Sequence, residues 1–253
     1  KETPSIINYD NFFSNIEKGR PEEKNKNLMH SNYGLHFDTH CLTQELKKKA
    51  LSSDCCKIIL GTVVATKLNE EGIESIKLDG DIILKGDYYL DCTGFNRVLI
   101  SNFNPKFIDY SDILPCDSAI ATFSEPEKEE ITFTEATALS AGWLWKIPTA
   151  EKTGRGYVYS SKFISEDRAT EEFLGVVDGL ESKNLSIKKF SWCPGVLENP
   201  FIKNCFAIGL SAGFLEPMEA LSIDITQNLI QKFFLHLFRN KDNNKLNRSF
   251  TSY

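Results

Sequence analysis

The sequence predicts a mixed α/β fold, and three observations carry the prediction. Residues 204–223, NCFAIGLSAGFLEPMEALSI, read as an apolar strand, a turn of small residues and the start of a helix. Several short stretches elsewhere alternate apolar and polar residues in the manner of antiparallel strands. Apolar residues make up 41% of the 253, enough for a sizeable core in one domain or two.

Along the chain, residues 1–32 form a polar lead-in rich in Asn, Glu and Lys, with one amphipathic helix expected near 9–17. Asp38 or Thr39 suits an N-cap, followed by Leu42, Leu46 and Ala50 on one helical face. Residues 57–67 and 72–78 alternate as strands, and 87–92 forms a third that ends at Thr93 and Gly94. The acidic stretch 125–130 reads as a solvated turn. Strands of a second sheet are expected at 131–138, 142–148 and 156–161, a helix at 166–180, and a returning strand at 187–192.

The run Cys205, Phe206, Ala207, Ile208 and Leu210 suits a strand covered on both faces. Gly209, Ser211, Ala212 and Gly213 then leave little side-chain bulk, so backbone N–H groups can approach a flat or anionic ligand. Pro217 suits the first position of a helix, with Glu219 in its first turn and Ile223, Ile225, Leu229, Phe233 and Leu237 along its length. A strand feeding such a turn and a helix is where open α/β sheets bind their ligands.

The same turn matches G-x-S-x-G, the nucleophile elbow of serine hydrolases, with Asp224 and His236 following Ser211. Geometry opposes a triad. Both partners fall on the helix that leaves the turn, which puts His236 roughly 25 Å or more away at about 1.5 Å per residue. His36 and His40 bracket Asp38 in the spacing of a metal site, but no third ligand is suggested nearby, so no metal is expected.

A net charge of −6 and a pI near 5.4 give no electrostatic case for nucleic acid. Lys47, Lys48 and Lys49 read as a solvated helix face. No apolar run approaches the roughly 20 residues that span a bilayer. Seven cysteines without a C-x-x-C pair suggest neither a disulfide framework nor a zinc site, so a reduced, cytoplasmic setting is expected. Cys92, Cys116 and Cys205 are expected as small core residues.

A second string decides among families. Gly142–Pro148 carries W-x-W-x-I-P through Trp143, Trp145, Ile147 and Pro148, and GRGYVYSS comes next from Gly154. With GLSAGFLEPMEA, these segments resemble the flavin-dependent tryptophan halogenase family. So do YGLHFDTHCLTQEL from Tyr33, YYLDCTGFNRVLI from Tyr88 and LPCDSAIA from Leu114. These segments occur in the family's order across most of the chain.

The resemblance implies a flavin monooxygenase-like FAD-binding fold with an antiparallel substrate-side sheet. It divides the chain into the lead-in 1–32, part of an FAD-binding domain at 33–100, a substrate-side sheet region at 101–200, a return to the FAD-binding domain at 201–240, and a polar tail at 241–253. It further implies an enzyme that uses reduced FAD from a flavin reductase, O₂ and halide to make hypohalous acid for an aromatic small-molecule or carrier-bound substrate. Glu219 would work on the halogenating species, since an acid of adjustable pKa suits that role. FAD contacts carry over to Val63, Gly209, Leu210, Gly213 and Ile223. Halide contacts carry over to the amides of Leu221 and Ser222, and Trp143 and Trp145 would keep organic substrate from the flavin.

Departures from the family pattern are equally legible. Ala220 and Leu221 stand where the family has Ser and Thr, which points away from free tryptophan as substrate. No G-x-G-x-x-G loop occurs, and the 32 residues before Tyr33 are too few for both a βαβ nucleotide unit of about 30 residues and the segment that links it to the Tyr33 motif. The sequence is therefore expected to be a central piece, incomplete at both ends. A non-halogenating FAD monooxygenase and a catalytically dead fragment stay open as alternatives, and the oligomeric state, a homodimer included, is not written in the sequence.

Overall fold

The computed structural model describes residues 36–127, 133–177 and 186–239. In chain order, helix α1 (Thr39–Leu51) precedes strands β1 (Val63–Asn69), β2 (Gly72–Leu78), β3 (Ile83–Leu84), β4 (Tyr89–Asp91) and β5 (Phe107–Asp109). Strands β6 (Ser118–Ser124), β7 (Glu135–Leu139), β8 (Gly142–Pro148) and β9 (Thr153–Tyr159) lead to helix α2 (Glu166–Val176) and β10 (Lys188–Ser191). Strands β11 (Gly195–Leu197), β12 (Phe201–Ile202), β13 (Cys205–Ala207) and β14 (Gly213–Phe214) precede helix α3 (Ser222–Arg239). These elements gather into two compact units, Lys1–Lys57 with Ser118–Phe190 and Ile58–Asp117 with Ser191–Tyr253.

The first unit holds a five-stranded antiparallel sheet in the order β10-β6-β9-β8-β7. Alternation puts Ile120, Leu144, Tyr157 and Tyr159 on one face, where Ala169, Phe173 and Val177 of the α2 segment complete the core. Helix α2 starts at Ser165, whose hydroxyl accepts from the Arg168 amide, with Glu166 and Asp167 in its first turn. Asp38 caps α1, its carboxylate accepting from the amides of His40 and Cys41 at 2.7 and 3.2 Å. The apolar stripe of α1 is another matter: Leu42 and Leu46 are exposed, and the helix buries no residue.

The second unit contains three small sheets, β1-β2-β3, β14-β11-β5 and β12-β13-β4. Strand β13 pairs parallel with β4, and Cys205, Phe206 and Ala207 are fully buried as their unbroken apolarity requires. One core lies against Ile73, Tyr89, Leu99, Ile100 and Leu197. Another joins Phe201, Phe206 and Ile208 to Leu229 and Phe233 of α3.

Several expectations change in detail. The hairpin strand β1 begins only at Val63, leaving Ile58, Ile59 and Leu60 exposed outside any strand. Sheet β10-β6-β9-β8-β7 begins at Ser118, whereas 101–117 packs with the second unit. Cys92 is exposed because β4 ends at Asp91, and Cys116, in the stretch between β5 and β6, is half-buried; Cys205 alone of the three is a core residue. Glu127 is not merely solvated: it ion-pairs Lys146 at 3.3 Å and Arg155 at 2.8 Å on the sheet. The expected helix near 9–17 lies outside the described residues.

Candidate functional site

The candidate site grows from the carboxyl ends of the parallel pair β4 and β13. The chain leaves β13 through Ile208, whose amide donates to Asp91 O at 2.9 Å, and enters a single 3-10 turn over Gly209–Ser211. Gly209 holds φ +65, and a Cβ there would meet only Thr226 Oγ1 at 3.7 Å. Its left-handed conformation favours glycine while the space beside it stays open. Gly213 has a different reason: an added Cβ would sit 2.5 Å from Gly195 O and 2.6 Å from Val196 Cα of the paired strand β11. The neighbouring strand excludes a side chain at Gly213. Leu210 in the turn is 38% exposed, and Ile223 in the first turn of α3 is 44% exposed.

Helix α3 does not begin at Pro217 as the sequence suggests. Pro217 opens a separate 3-10 turn, Pro217–Glu219, closed by Ala220 in the left-handed region at φ 52. That reversal breaks helical continuity, and α3 starts at Ser222. Glu219 therefore precedes the helix, and the acid in its first turn is Asp224. The Leu221 and Ser222 amides stand at the open start of α3, where N–H groups lack intrahelical partners. Val63 opens β1 opposite Leu78 and packs half-buried on the core of Ile73 and Tyr89.

Beneath the turn lies a buried polar node that sequence patterning does not assign. Asp91 is fully buried and accepts from the Thr93 amide at 3.0 Å, the Thr93 hydroxyl at 2.6 Å, and the Leu99 and Ile100 amides at 2.9 and 2.8 Å. Burial pushes its carboxyl up, but those donors outweigh it and hold the group below the ordinary carboxylate value. Ser211, also fully buried, shares its hydroxyl proton between Gly94 O at 3.0 Å and Asp91 Oδ1 at 3.3 Å. Arg97 donates from Nε to Ser211 O at 3.0 Å and lays its guanidinium over the Phe107 ring. Ser211 thus has no open approach, and the elbow motif is structural rather than nucleophilic. The only sequence signal for the node is an Asp at the end of an apolar strand before Thr and Gly.

Nearby, burial pushes the Cys205 thiol up to about 12, with Asp91 adding to the effect. Cys116 is pushed up to about 11 by burial and by the carboxylates of Glu216 and Asp117. Both are neutral thiols at physiological pH.

In the other unit, Trp143 and Trp145 are half-buried on β8 and share one face, as alternation requires. The Trp145 ring lies over Gly156, its pairing partner on β9. His36 places Nδ1 3.0 Å from Pro148 O and Nε2 3.0 Å from Thr134 Oγ1. These contacts join the entry to α1 to the end of β8.

The family model described as "Tryptophan halogenase" matches residues 6–252. The chain is 33% identical over 198 residues to tryptophan 6-halogenase ThaL of Streptomyces albogriseolus, covering 76% of this chain and 37% of that protein. It is likewise 33% identical to tryptophan 7-halogenase RebH of Lentzea aerocolonigenes, with the same coverage. Among solved structures, the flavin-dependent halogenase Xcc4156 of Xanthomonas campestris superposes with a TM-score of 0.85 at 28% identity. That match covers 94% of this chain and 48% of the other. The chain spans under half the length of these relatives.

Proposed function

We propose a function from one premise: the chain belongs to the tryptophan halogenase family. The chain is then part of an FAD-dependent halogenase that acts on an aromatic small-molecule or carrier-bound substrate. One observation carries this reading. At the carboxyl ends of a parallel strand pair, the Gly209–Ser211 turn leaves open space beside Gly209, with Leu210 of the turn and Ile223 of α3 exposed.

These residues fit a flat aromatic cofactor better than a small polar ligand, since the exposed side chains are apolar and the turn lacks bulk. Gly209, Leu210 and Ile223 hold the ring system, with Val63 towards the adenine end; Gly213 serves by letting β14 close on β11. When bound, reduced FAD supplies the electrons by which O₂ and halide become hypohalous acid. The Leu221 and Ser222 amides bind halide through the partial positive charge of a helix start. Glu219 holds or moves a proton at the halogenating species. Trp143 and Trp145 are assigned to shielding against organic substrate on the family likeness alone. A flavin reductase supplies the reduced cofactor, and the cytoplasm is the setting. No helix among the described residues is long and apolar enough to cross a membrane.

The test is an FAD titration of the chain by flavin fluorescence quenching. Saturable binding is expected, with halogenated rather than hydroxylated product once a flavin reductase, halide and an indole are added to the whole protein. No saturable quenching would sink the assignment of the turn.

A further inference from the structure

We propose that Ser211 is a positioning residue for the cofactor turn, acting with Arg97 and Asp91 to fix the backbone that Gly209 and Leu210 present. The inference rests on the FAD reading of that turn. Ser211 is the one residue of Gly-Leu-Ser-Ala-Gly with a polar side chain, and that side chain points away from the open face into the protein. Its hydroxyl reaches Gly94 O and Asp91 Oδ1, while its carbonyl accepts from Arg97 Nε. Three groups therefore hold one residue from two directions.

What they hold together is specific. Two parallel strands end side by side, and each leads into a 3-10 turn, Gly94–Asn96 after β4 and Gly209–Ser211 after β13. Asp91 ties down its own turn through Thr93 and reaches on to Leu99 and Ile100. Thr93 Oγ1 in turn accepts from the Val98 amide at 2.8 Å. Arg97, left-handed at φ 46 as it closes the first turn, is anchored over Phe107 on β5. Ser211 is where this braced assembly meets the second turn.

Gly209, two residues away, has wide conformational freedom and open space beside it. Left unbraced, that glycine would populate several backbone states, and a ligand would have to select one of them. Selection lowers apparent affinity by the fraction of competent molecules. A brace at Ser211 removes that cost before the ligand arrives.

The measurement is FAD dissociation constant against melting temperature for Ser211→Ala and Arg97→Met, the latter keeping an apolar stem over Phe107. Glu172→Ala, in the other compact unit, serves as a control for general destabilisation. Ser211→Ala is expected to raise the FAD Kd roughly five- to tenfold, as loss of one well-placed hydrogen bond would. Arg97→Met should raise it in the same direction and alter the visible circular dichroism of bound flavin. Glu172→Ala should lower the melting temperature and leave the Kd alone. If both node variants bind FAD within about twofold of wild type, beneath the cost of one hydrogen bond, the inference is overturned while the cofactor reading stands. It is equally overturned if Glu172→Ala raises the Kd as much as they do. Failure of the wild-type chain to bind FAD would remove the cofactor reading and this inference together.

Discussion

At the residue scale, the two glycines of the turn look alike in sequence and differ in cause. Gly209 is there for its left-handed backbone beside open space, Gly213 for a strand that comes too close. An alanine at 213 would have to displace the backbone of Val196 and Gly195, a cost of about 1–3 kcal/mol from overpacking plus an unfavourable φ of +157. At 209 the cost is about 1–2 kcal/mol from the left-handed conformation alone. Thermal melts should rank Gly213→Ala as the more destabilising, whereas FAD titration should single out Gly209→Ala, whose methyl occupies the open face. The reverse ranking in either assay would mean that these roles are exchanged. Ser211 shows how a motif misleads at this scale: G-x-S-x-G describes spacing, but complete burial against Asp91 and Gly94 decides what the hydroxyl does.

Elements add a second layer of cause. Helix α2 was legible as a helical stretch from 166 onward, yet its cap at Ser165 and its tie to the sheet were not. Glu172 accepts from the Ser140 amide at 2.9 Å, the Ser140 hydroxyl at 2.7 Å and the Tyr157 hydroxyl at 3.1 Å, locking the β7–β8 turn to α2 and β9. The Tyr157 oxygen also accepts from the Ala141 amide at 3.1 Å. Removing the carboxylate leaves three donors to find water, and Glu172→Ala should cost about 1–3 kcal/mol. Hydrogen exchange should then show faster loss of protection at Ser140 and Ala141 than in β6; unchanged exchange at that turn would refute the lock. In α3 the sequence signal itself is misplaced. Pro217 is a good helix-start signal, but the left-handed Ala220 splits the segment, and only the backbone path shows that Glu219 stands before the helix.

Across the whole molecule, the shifted carboxylates share one sign. Asp38 is lowered first by the Lys152 ammonium, Glu74 by that of Lys67, and Asp109 by the Ser111 hydroxyl. Glu172 and Asp91 are lowered by donors that outweigh their burial. A carboxyl depressed in the folded state contributes stability that is complete above its unfolded value near 4 and lost as pH falls through its folded value. Stability should therefore be level on this account near neutrality and decline below about pH 4. Denaturant titrations across pH, monitored by Trp192 fluorescence in a Trp143→Phe, Trp145→Phe background, should show that decline; midpoints that stay constant from pH 5 to pH 3 would contradict it. The order of residues was enough for the fold class, the β8, β9 and β13 strands to within a few residues, the cap of α1, and the family. Those features rest on periodicity, cap chemistry and motif spacing, which are local. Packing in three dimensions was needed to bring Asp91, Arg97 and Ser211 together, to explain why Gly213 is glycine, and to reveal that the stripe of α1 buries nothing. These depend on which strand ends lie side by side, and contacts between residues more than a hundred positions apart leave no periodic trace in the chain.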